Sequence, residues 1–309
     1  MPGRFCVLRN RGIMPEISQG EPRMSLARQR FREVLTRLDC TLAANILDPL
    51  SARIAHMLGY EVCFLSGSVH KVANLAVPDI VLVNMSDLVD VCRRITRIAD
   101  VSLMHDGEDG FGNAVNVVRS VKELEAAGVS AIEIEDAIPP SRFNQPDPGL
   151  YSQAEQVGKL EAAVAAREDP MTVIVARTTA LAQFPLDEAL ERIKAYSQTG
   201  VEAIRLAGLK TREQLEAVHG ATHLPLTVLS PPDSMLEDRD FLAANGVSIL
   251  MAGNPAFGMA IQAIYDSLKH LKDGGSVDDL TPREANAELL RQVNRTDEFI
   301  QLQEQYLRE

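Results

Sequence analysis

Residues 127–137 read Ala127-Gly128-Val129-Ser130-Ala131-Ile132-Glu133-Ile134-Glu135-Asp136-Ala137. A glycine directly after a helical pattern supplies the left-handed stop of a helix. The apolar run behind it is short and near-continuous, as expected of a strand buried on both faces. The same junction recurs at Leu58-Gly59-Tyr60, Thr199-Gly200-Val201 and Asn245-Gly246-Val247. Short apolar runs at 40–47, 61–66, 101–105, 131–136, 172–177, 203–207, 225–229 and 247–252 make eight candidate strands. Helical patterns lie between most of them, including Asn113–Ala127, Leu186–Thr199 and Thr211–His219. Eight βα units in roughly 250 residues is the arithmetic of a (β/α)8 TIM barrel, an α/β fold. A doubly wound open sheet is the alternative. It wants a glycine fingerprint after its first strand, and Ile46-Leu47-Asp48-Pro49-Leu50 is not one.

The barrel is expected to occupy residues 25–272, ending in a helix over about Pro255–Lys272. Residues 1–24 are polar, with scattered Arg, Gly and Pro, and are read as a flexible extension without the apolar core of a signal peptide. Met24-Ser25 opens a helical pattern. Beyond the break Asp273-Gly274-Gly275-Ser276, residues 273–309 form a C-terminal helical segment, with Leu289, Leu290, Val293, Phe299, Ile300 and Leu302 as its apolar side. Such a tail covers either its own barrel or a neighbouring subunit, which makes it a candidate for oligomerisation.

Composition narrows the function. Of 309 residues, 46% are hydrophobic and the formal net charge is −12, spread along the chain. That balance disfavours a nucleic-acid or anionic-membrane surface and fits a soluble protein. No stretch approaches the about 18 apolar residues of a membrane span. The four cysteines, Cys6, Cys40, Cys63 and Cys92, have no metal-ligand spacing, so buried free thiols in a reducing, cytoplasmic compartment are expected.

In a barrel the chemistry belongs at the C-terminal ends of the strands. Those positions carry Asp48, Ser66-Gly67-Ser68, Asp106 and Glu108, Glu135 and Asp136, Arg177, Ser230 and Asn254. Asp106 and Glu108 belong to the segment His105-Asp106-Gly107-Glu108-Asp109-Gly110-Phe111-Gly112-Asn113. Carboxylates gathered at buried strand ends repel one another and lose hydration, which a hard cation such as Mg²⁺ relieves. A solvated acidic loop is the bland alternative. Arg177, an isolated cation at the end of an apolar strand, suits a bidentate grip on a substrate carboxylate, or else an internal ion pair with those acids. Gly67 and Ser68 offer backbone N–H groups and a hydroxyl to a developing oxyanion, although most such triplets are turns. His70, His105, His219 and His223 are scattered and read as loop or surface residues.

These residues resemble the isocitrate lyase / phosphoenolpyruvate mutase superfamily. Its third strand carries a motif like D-A-D-x-G-[YF]-G-N and its fourth one like I-E-D; here they stand as Asp106–Asn113 and Ile134-Glu135-Asp136. Leu50-Ser51-Ala52-Arg53-Ile54, Ser66-Gly67-Ser68 and Val175-Ala176-Arg177-Thr178 match in the same order, over about residues 25–308. The resemblance implies a barrel whose last helix swaps between subunits, a homotetramer, a Mg²⁺ cofactor (or Mn²⁺) and 2-oxo-acid chemistry. It implies Asp106 as the principal metal ligand, with Glu108 and Glu135 in support. Ser66, Gly67, Ser68, Arg177 and Asn254 would line the substrate, and Asp79 would lie on the gating segment after the second strand.

Lyases and phosphonomutases of the superfamily carry a K-[KR]-C-G-H loop after strand four. Here that loop reads Pro139-Pro140-Ser141-Arg142-Phe143-Asn144-Gln145, and the chain looks most like the oxaloacetate decarboxylase branch. It departs from the branch at Glu108, where the motif has Asp, and at Asp109, where His is usual. Pro231 and Asn254 stand where Tyr and His are usual, and Thr178-Thr179-Ala180 replaces T-N-A.

The implied reaction is Mg²⁺-dependent decarboxylation of oxaloacetate or a related β-carboxy-2-oxo acid through a stabilised enolate. The alternatives are a C–C lyase or hydrolase of the same superfamily acting on another 2-oxo or 2-hydroxy diacid, and a non-catalytic barrel that binds a dicarboxylate.

Overall fold

Each apolar run becomes a strand, and each strand pairs in parallel with the next. The computed structural model describes residues 23–140 and 149–307. Its strands are β1 (Thr41–Ile46), β2 (Val62–Leu65), β3 (Ser102–Asp106), β4 (Ala131–Glu135), β5 (Val173–Thr178), β6 (Ala203–Leu206), β7 (Leu226–Leu229) and β8 (Val247–Met251). They close in sequence order, β8 pairing back onto β1. The fold is therefore a (β/α)8 barrel, and the open sheet is excluded. Gly59, Gly128, Gly200 and Gly246 all take positive φ, between 76° and 89°, so the four glycines are the helix stops they were read as.

The helices are α1 (Arg23–Thr36), α2 (Pro49–Met57), α3 (Gly67–Leu75), α4 (Met85–Ile98), α5 (Ala114–Ala126), α6 (Gln153–Ala166) and α7 (Ala180–Gln183). They continue as α8 (Leu186–Ser197), α9 (Arg212–Ala221), α10 (Asp233–Leu236), α11 (Arg239–Ala244), α12 (Pro255–Lys272), α13 (Ala287–Val293) and α14 (Thr296–Tyr306). One apolar cluster fills the space between barrel and helices, including Leu65, Leu88, Leu103, Leu124, Ile134 and Ile193. A second fills the barrel itself. In it Phe31, Val34 and Leu35 of α1 pack with Val62, Phe64, Met104, Val173, Ile249 and Met251, so α1 plugs the N-terminal mouth. Two serine hydroxyls pin the plug, Ser102 donating to the Ala27 carbonyl and Ser248 to that of Leu35.

The tail is not one helix: α13 and α14 part at Arg295, which takes φ of 56°. The eighth barrel helix, α12, has no buried residue, and Met259, Ile264, Tyr265 and Leu268 on it are exposed. The extension assigned to residues 1–24 lies outside the described residues up to 22, and helix begins at Arg23. Cys40, Cys63 and Cys92 are buried free thiols, while Cys6 lies outside the described residues. No helix of the described residues is long and apolar enough to cross a membrane.

Candidate active site

The segment after β3 is built to turn tightly. Glu108, Gly110, Phe111 and Gly112 all have positive φ, at 53°, 82°, 62° and 138°. The first of these turns is held by the Asp106 carboxylate, which accepts from the Glu108 N–H at 3.1 Å, and by the Glu108 carbonyl, which accepts from the Glu135 N–H at 2.9 Å. Asn113 closes the motif as the N-cap of α5, accepting from the N–H groups of Val115 and Asn116. The end of the motif is thus structural, and its first half faces the mouth of the barrel.

Alternation along β4 sends Glu133 and Glu135 toward the barrel axis, while Asp136 bonds Thr178 Oγ1 at 2.6 Å and Tyr196 at 3.1 Å. Asp136 is therefore held in a buried structural contact. Asp48 is likewise a cap, its carboxylate accepting from the Ser51 N–H at 2.7 Å at the start of α2.

Arg177 reaches two of the acids. Its Nη1 lies 2.6 Å from Asp106 Oδ2 and its Nη2 lies 3.2 Å from Glu135 Oε2. The internal ion pair weighed for Arg177 is the arrangement the structure shows. Burial opposes the ionised Asp106, but Arg177, then Arg205, His105 and Lys71, outweigh it and hold that carboxyl well below the usual range. Burial pushes Glu135 up to about 7 despite Arg177, with Asp106 and Asp136 adding to the rise. Glu108 is pushed up to about 8, by burial first and then by the Asp106 charge.

Gly67 is pressed against this group. A Cβ there would stand 2.5 Å from Glu108 Oε1 and 3.4 Å from Asp106 Oδ2, so any side chain would have to displace the Glu108 carboxylate. Ser66 caps the start of α3 without a side-chain cap bond, and its hydroxyl is 2.8 Å from that of Ser68. Asn254 is joined instead to Asn45 of β1 at 3.0 Å, on the β8–β1 side of the rim. Asp79 is half exposed and bonds Lys71 Nζ at 2.6 Å.

Several residues of the site escaped the sequence reading. Lys71 is 2% exposed, and its Nζ lies 2.7 Å from Glu108 Oε1. A signal existed: Gly67 and Lys71 stand four apart on one helix and so share a face. Lower in the barrel, Arg205 of β6 pairs with Glu133, both fully buried, and its guanidinium lies 4.2 Å over the Phe64 ring. Asp109 is 2% exposed and accepts from Tyr151 at 2.8 Å and from the buried Lys159 at 3.3 Å. The residue at which His is usual thus ties the β3 loop to the start of α6. Of the loop Pro139–Gln145, which lacks the Cys-Gly-His motif, the residues from 141 onward lie outside the described residues.

The histidines correct the reading in part. His105 is fully buried on β3, bonded through Nδ1 to the Leu65 carbonyl at 3.0 Å, and burial pushes its pKa down to about 4, leaving it neutral. His70 is also buried, whereas His219 and His223 are exposed.

The donor chemistry fits a hard cation, with the carboxylates of Asp106, Glu108 and Glu135 at or just beyond adjoining strand ends. Their arrangement differs from a ready three-carboxylate site. Among the described residues no cluster of three or more His, Cys, Asp or Glu side chains could hold a metal ion. Arg177 occupies Asp106 and Glu135, and Lys71 occupies Glu108. Mg²⁺ asks for less, since it keeps several waters and uses one or two carboxylates.

The chain can be set beside known proteins at this point. It is 42% identical over 270 residues to an oxaloacetate decarboxylase of Rhodopseudomonas palustris (strain BisA53), covering 87% of this chain and 93% of that protein. It is 37% identical over 281 residues to an oxaloacetate decarboxylase of Paraburkholderia xenovorans (strain LB400), covering 91% and 93%. Among solved structures, phosphonopyruvate hydrolase in complex with oxalate and Mg²⁺ superposes with a TM-score of 0.81 at 29% identity, covering 91% of this chain and 99% of that one. The family model of phosphoenolpyruvate phosphomutase matches residues 31–272, the whole barrel, and the chain belongs to that family.

Proposed function

We propose that this chain is a lyase that decarboxylates oxaloacetate or a related β-carboxy-2-oxo acid with the aid of Mg²⁺, Mn²⁺ being the alternative ion. The observation that carries the proposal is the Arg177 guanidinium seated between Asp106 and Glu135 at the strand ends, with Gly67 beside the carboxylates of Glu108 and Asp106. An anion clamp and an oxygen donor set thus share one mouth. Similarity to oxaloacetate decarboxylases over about nine-tenths of the chain supports the choice of reaction.

When bound, Mg²⁺ supplies a Lewis acid beside the 2-oxo group. Asp106, ionised by its cationic neighbours, would be its first ligand, with Glu135 and Glu108 beside it. Arg177 turns from the acids to the C1 carboxylate of the substrate. The Gly67 and Ser68 N–H groups and the Ser68 hydroxyl face the C2 oxygen. As the β-carboxylate leaves as CO₂, its bonding pair passes to C3 and charge develops on that oxygen, where fixed donors do most good. Asp79, on the stretch between α3 and α4, would close over the mouth.

The test follows oxaloacetate loss and pyruvate formation in Mg²⁺, with Arg177→Ala as control because free divalent metal promotes the same decarboxylation. Turnover in the wild type alone supports the proposal. Equal rates in both proteins overturn it, and binding of oxalate without product would then point to a dicarboxylate-binding barrel. A hydrolase or C–C lyase on the same site is the second reading, favoured by the 0.81 superposition on phosphonopyruvate hydrolase. A panel of 2-oxo and 2-hydroxy diacids separates it.

We further propose a homotetramer in which α12 exchanges between subunits in a reducing cytoplasm. The bare apolar side of α12 and the three buried thiols support this.

A further inference from the structure

Lys71 is the residue of the mouth that the reaction above does not use. It lies one helical turn beyond Gly67 and is 2% exposed. A buried ammonium is costly unless paired. Here it is paired twice, with Asp79 Oδ1 at 2.6 Å and Glu108 Oε1 at 2.7 Å. Glu108 has little freedom to leave. Its backbone sits at a φ of 53°, held by the Asp106 carboxylate and the Glu135 N–H, and its Oε1 lies against the backbone of Gly67. That oxygen's partner is the Lys71 ammonium. Glu108 is thus both aimed at Lys71 and neutralised by it. A divalent ion on the same carboxylate would face a fixed positive charge at close range. Asp106 is different, because its partner Arg177 is partly exposed and is the group expected to turn toward a substrate.

We propose that Lys71 is a resident cation of the site, a positioning residue that holds Glu108 out of the divalent ion's ligand set and leaves the ion to Asp106 with Glu135. The inference rests on the metal-dependent reading above and narrows it. Glu108 becomes a partner of Lys71 rather than a metal ligand. Its extra methylene relative to Asp has a structural meaning, as the length that reaches the ammonium.

Mn²⁺ binding to the full chain, followed by the paramagnetic signal of the free ion, tests this without turnover. The variants are Glu108→Gln, Lys71→Met, Lys71→Arg and Asp106→Asn. Glu108→Gln is expected to bind Mn²⁺ within about threefold of the wild type, because the carboxylate it removes is not a ligand. Lys71→Met is expected to bind at least about tenfold more tightly, since a repelling charge is gone and a carboxylate is released. Lys71→Arg keeps the charge and stays near the wild type. A merely structural role for Lys71 would lower affinity on substitution, so the direction is diagnostic. A larger loss in Glu108→Gln, or unchanged or weaker binding in Lys71→Met, overturns the proposal. If Lys71→Met fails to fold, Glu108→Gln decides alone. Asp106→Asn separates the two levels: wild-type affinity there would refute the metal reading itself, whereas lost affinity in both Asp106→Asn and Glu108→Gln refutes only the role of Lys71.

Discussion

Replacing Arg205 by Met should expose how much of this fold depends on a charge pair inside the barrel. Arg205 and Glu133 are each 0% exposed, and a bond from Nη1 to Oε2 joins them. The pair is incompletely satisfied, because Glu133 Oε1 and the Nε and Nη2 of Arg205 have no hydrogen-bond partner. Removing one member of a buried pair costs about 3–5 kcal/mol, whereas replacing both by apolar residues of similar volume is often neutral or better. Arg205→Met should therefore lose about 3–5 kcal/mol, a large share of the about 5–15 kcal/mol of a typical fold. The melting temperature should fall by on the order of 10 °C. The double variant Arg205→Met/Glu133→Leu should recover most of that. Burial already raises the folded pKa of Glu133 above the usual glutamate value, and losing Arg205 raises it further. Stability from such a group is fully present below the unfolded pKa and is lost as pH rises through the folded one. The deficit of the single variant should thus grow from pH 5 to pH 8, by up to about 1.4 kcal/mol per pH unit, while that of the double variant stays flat. Urea titrations at the two pH values measure this. A single variant within about 1 kcal/mol of the wild type, or a double variant no better than the single, would refute the reasoning.

Three further outcomes follow from the same geometry. Asp106→Ala should abolish Mg²⁺-dependent loss of oxaloacetate, because it removes a strand-end carboxylate that Arg177 and its neighbours hold ionised; retained turnover would sink the metal assignment. Without metal, stability should fall as pH rises from about 4.5 to 8, most clearly above about 6.5 where His105 no longer opposes it, because Glu135 and Glu108 have folded values of about 7 and about 8, above the unfolded 4.5, and their contribution is lost between the unfolded and folded values. Neutral His105 acts in the opposite sense, but its window lies between about 4 and 6.5. Added Mg²⁺ should flatten the decline, and a melting temperature independent of pH without metal would count against the buried cluster. Finally, Leu268→Asp on the exposed side of α12 should lower the assembly state seen by sedimentation, and an unchanged assembly would remove α12 from the interface.

The barrel was legible because its strands are buried on both faces. That burial forces near-continuous apolar runs, and the positive-φ glycines mark where each helix must stop. The fate of the chain after β8 was less legible, since α12 presents Met259, Ile264, Tyr265 and Leu268 without a cover on its own barrel. An amphipathic pattern states that a face will be covered, not by which chain. In the site, Asp106, Glu135 and Arg177 could be found because a strand end in a barrel is a defined place. Lys71, Lys159 and Arg205 could not be, because lysine and arginine usually read as surface residues and these three are fully or almost fully buried. Position along a strand says which charges arrive at the mouth; it does not say which cation neutralises which acid. Asp109 shows the difference, since it lies beside Glu108 in sequence yet is claimed by Tyr151 and Lys159, while Glu108 is claimed by Lys71 and Asp106 by Arg177. Each acid of the motif thus has its own cation, and those cations come from three different elements, α6, α3 and β5. A metal ion entering this mouth must compete with the partners already there, and under the proposed reaction Arg177 is the cation that would turn to a substrate carboxylate.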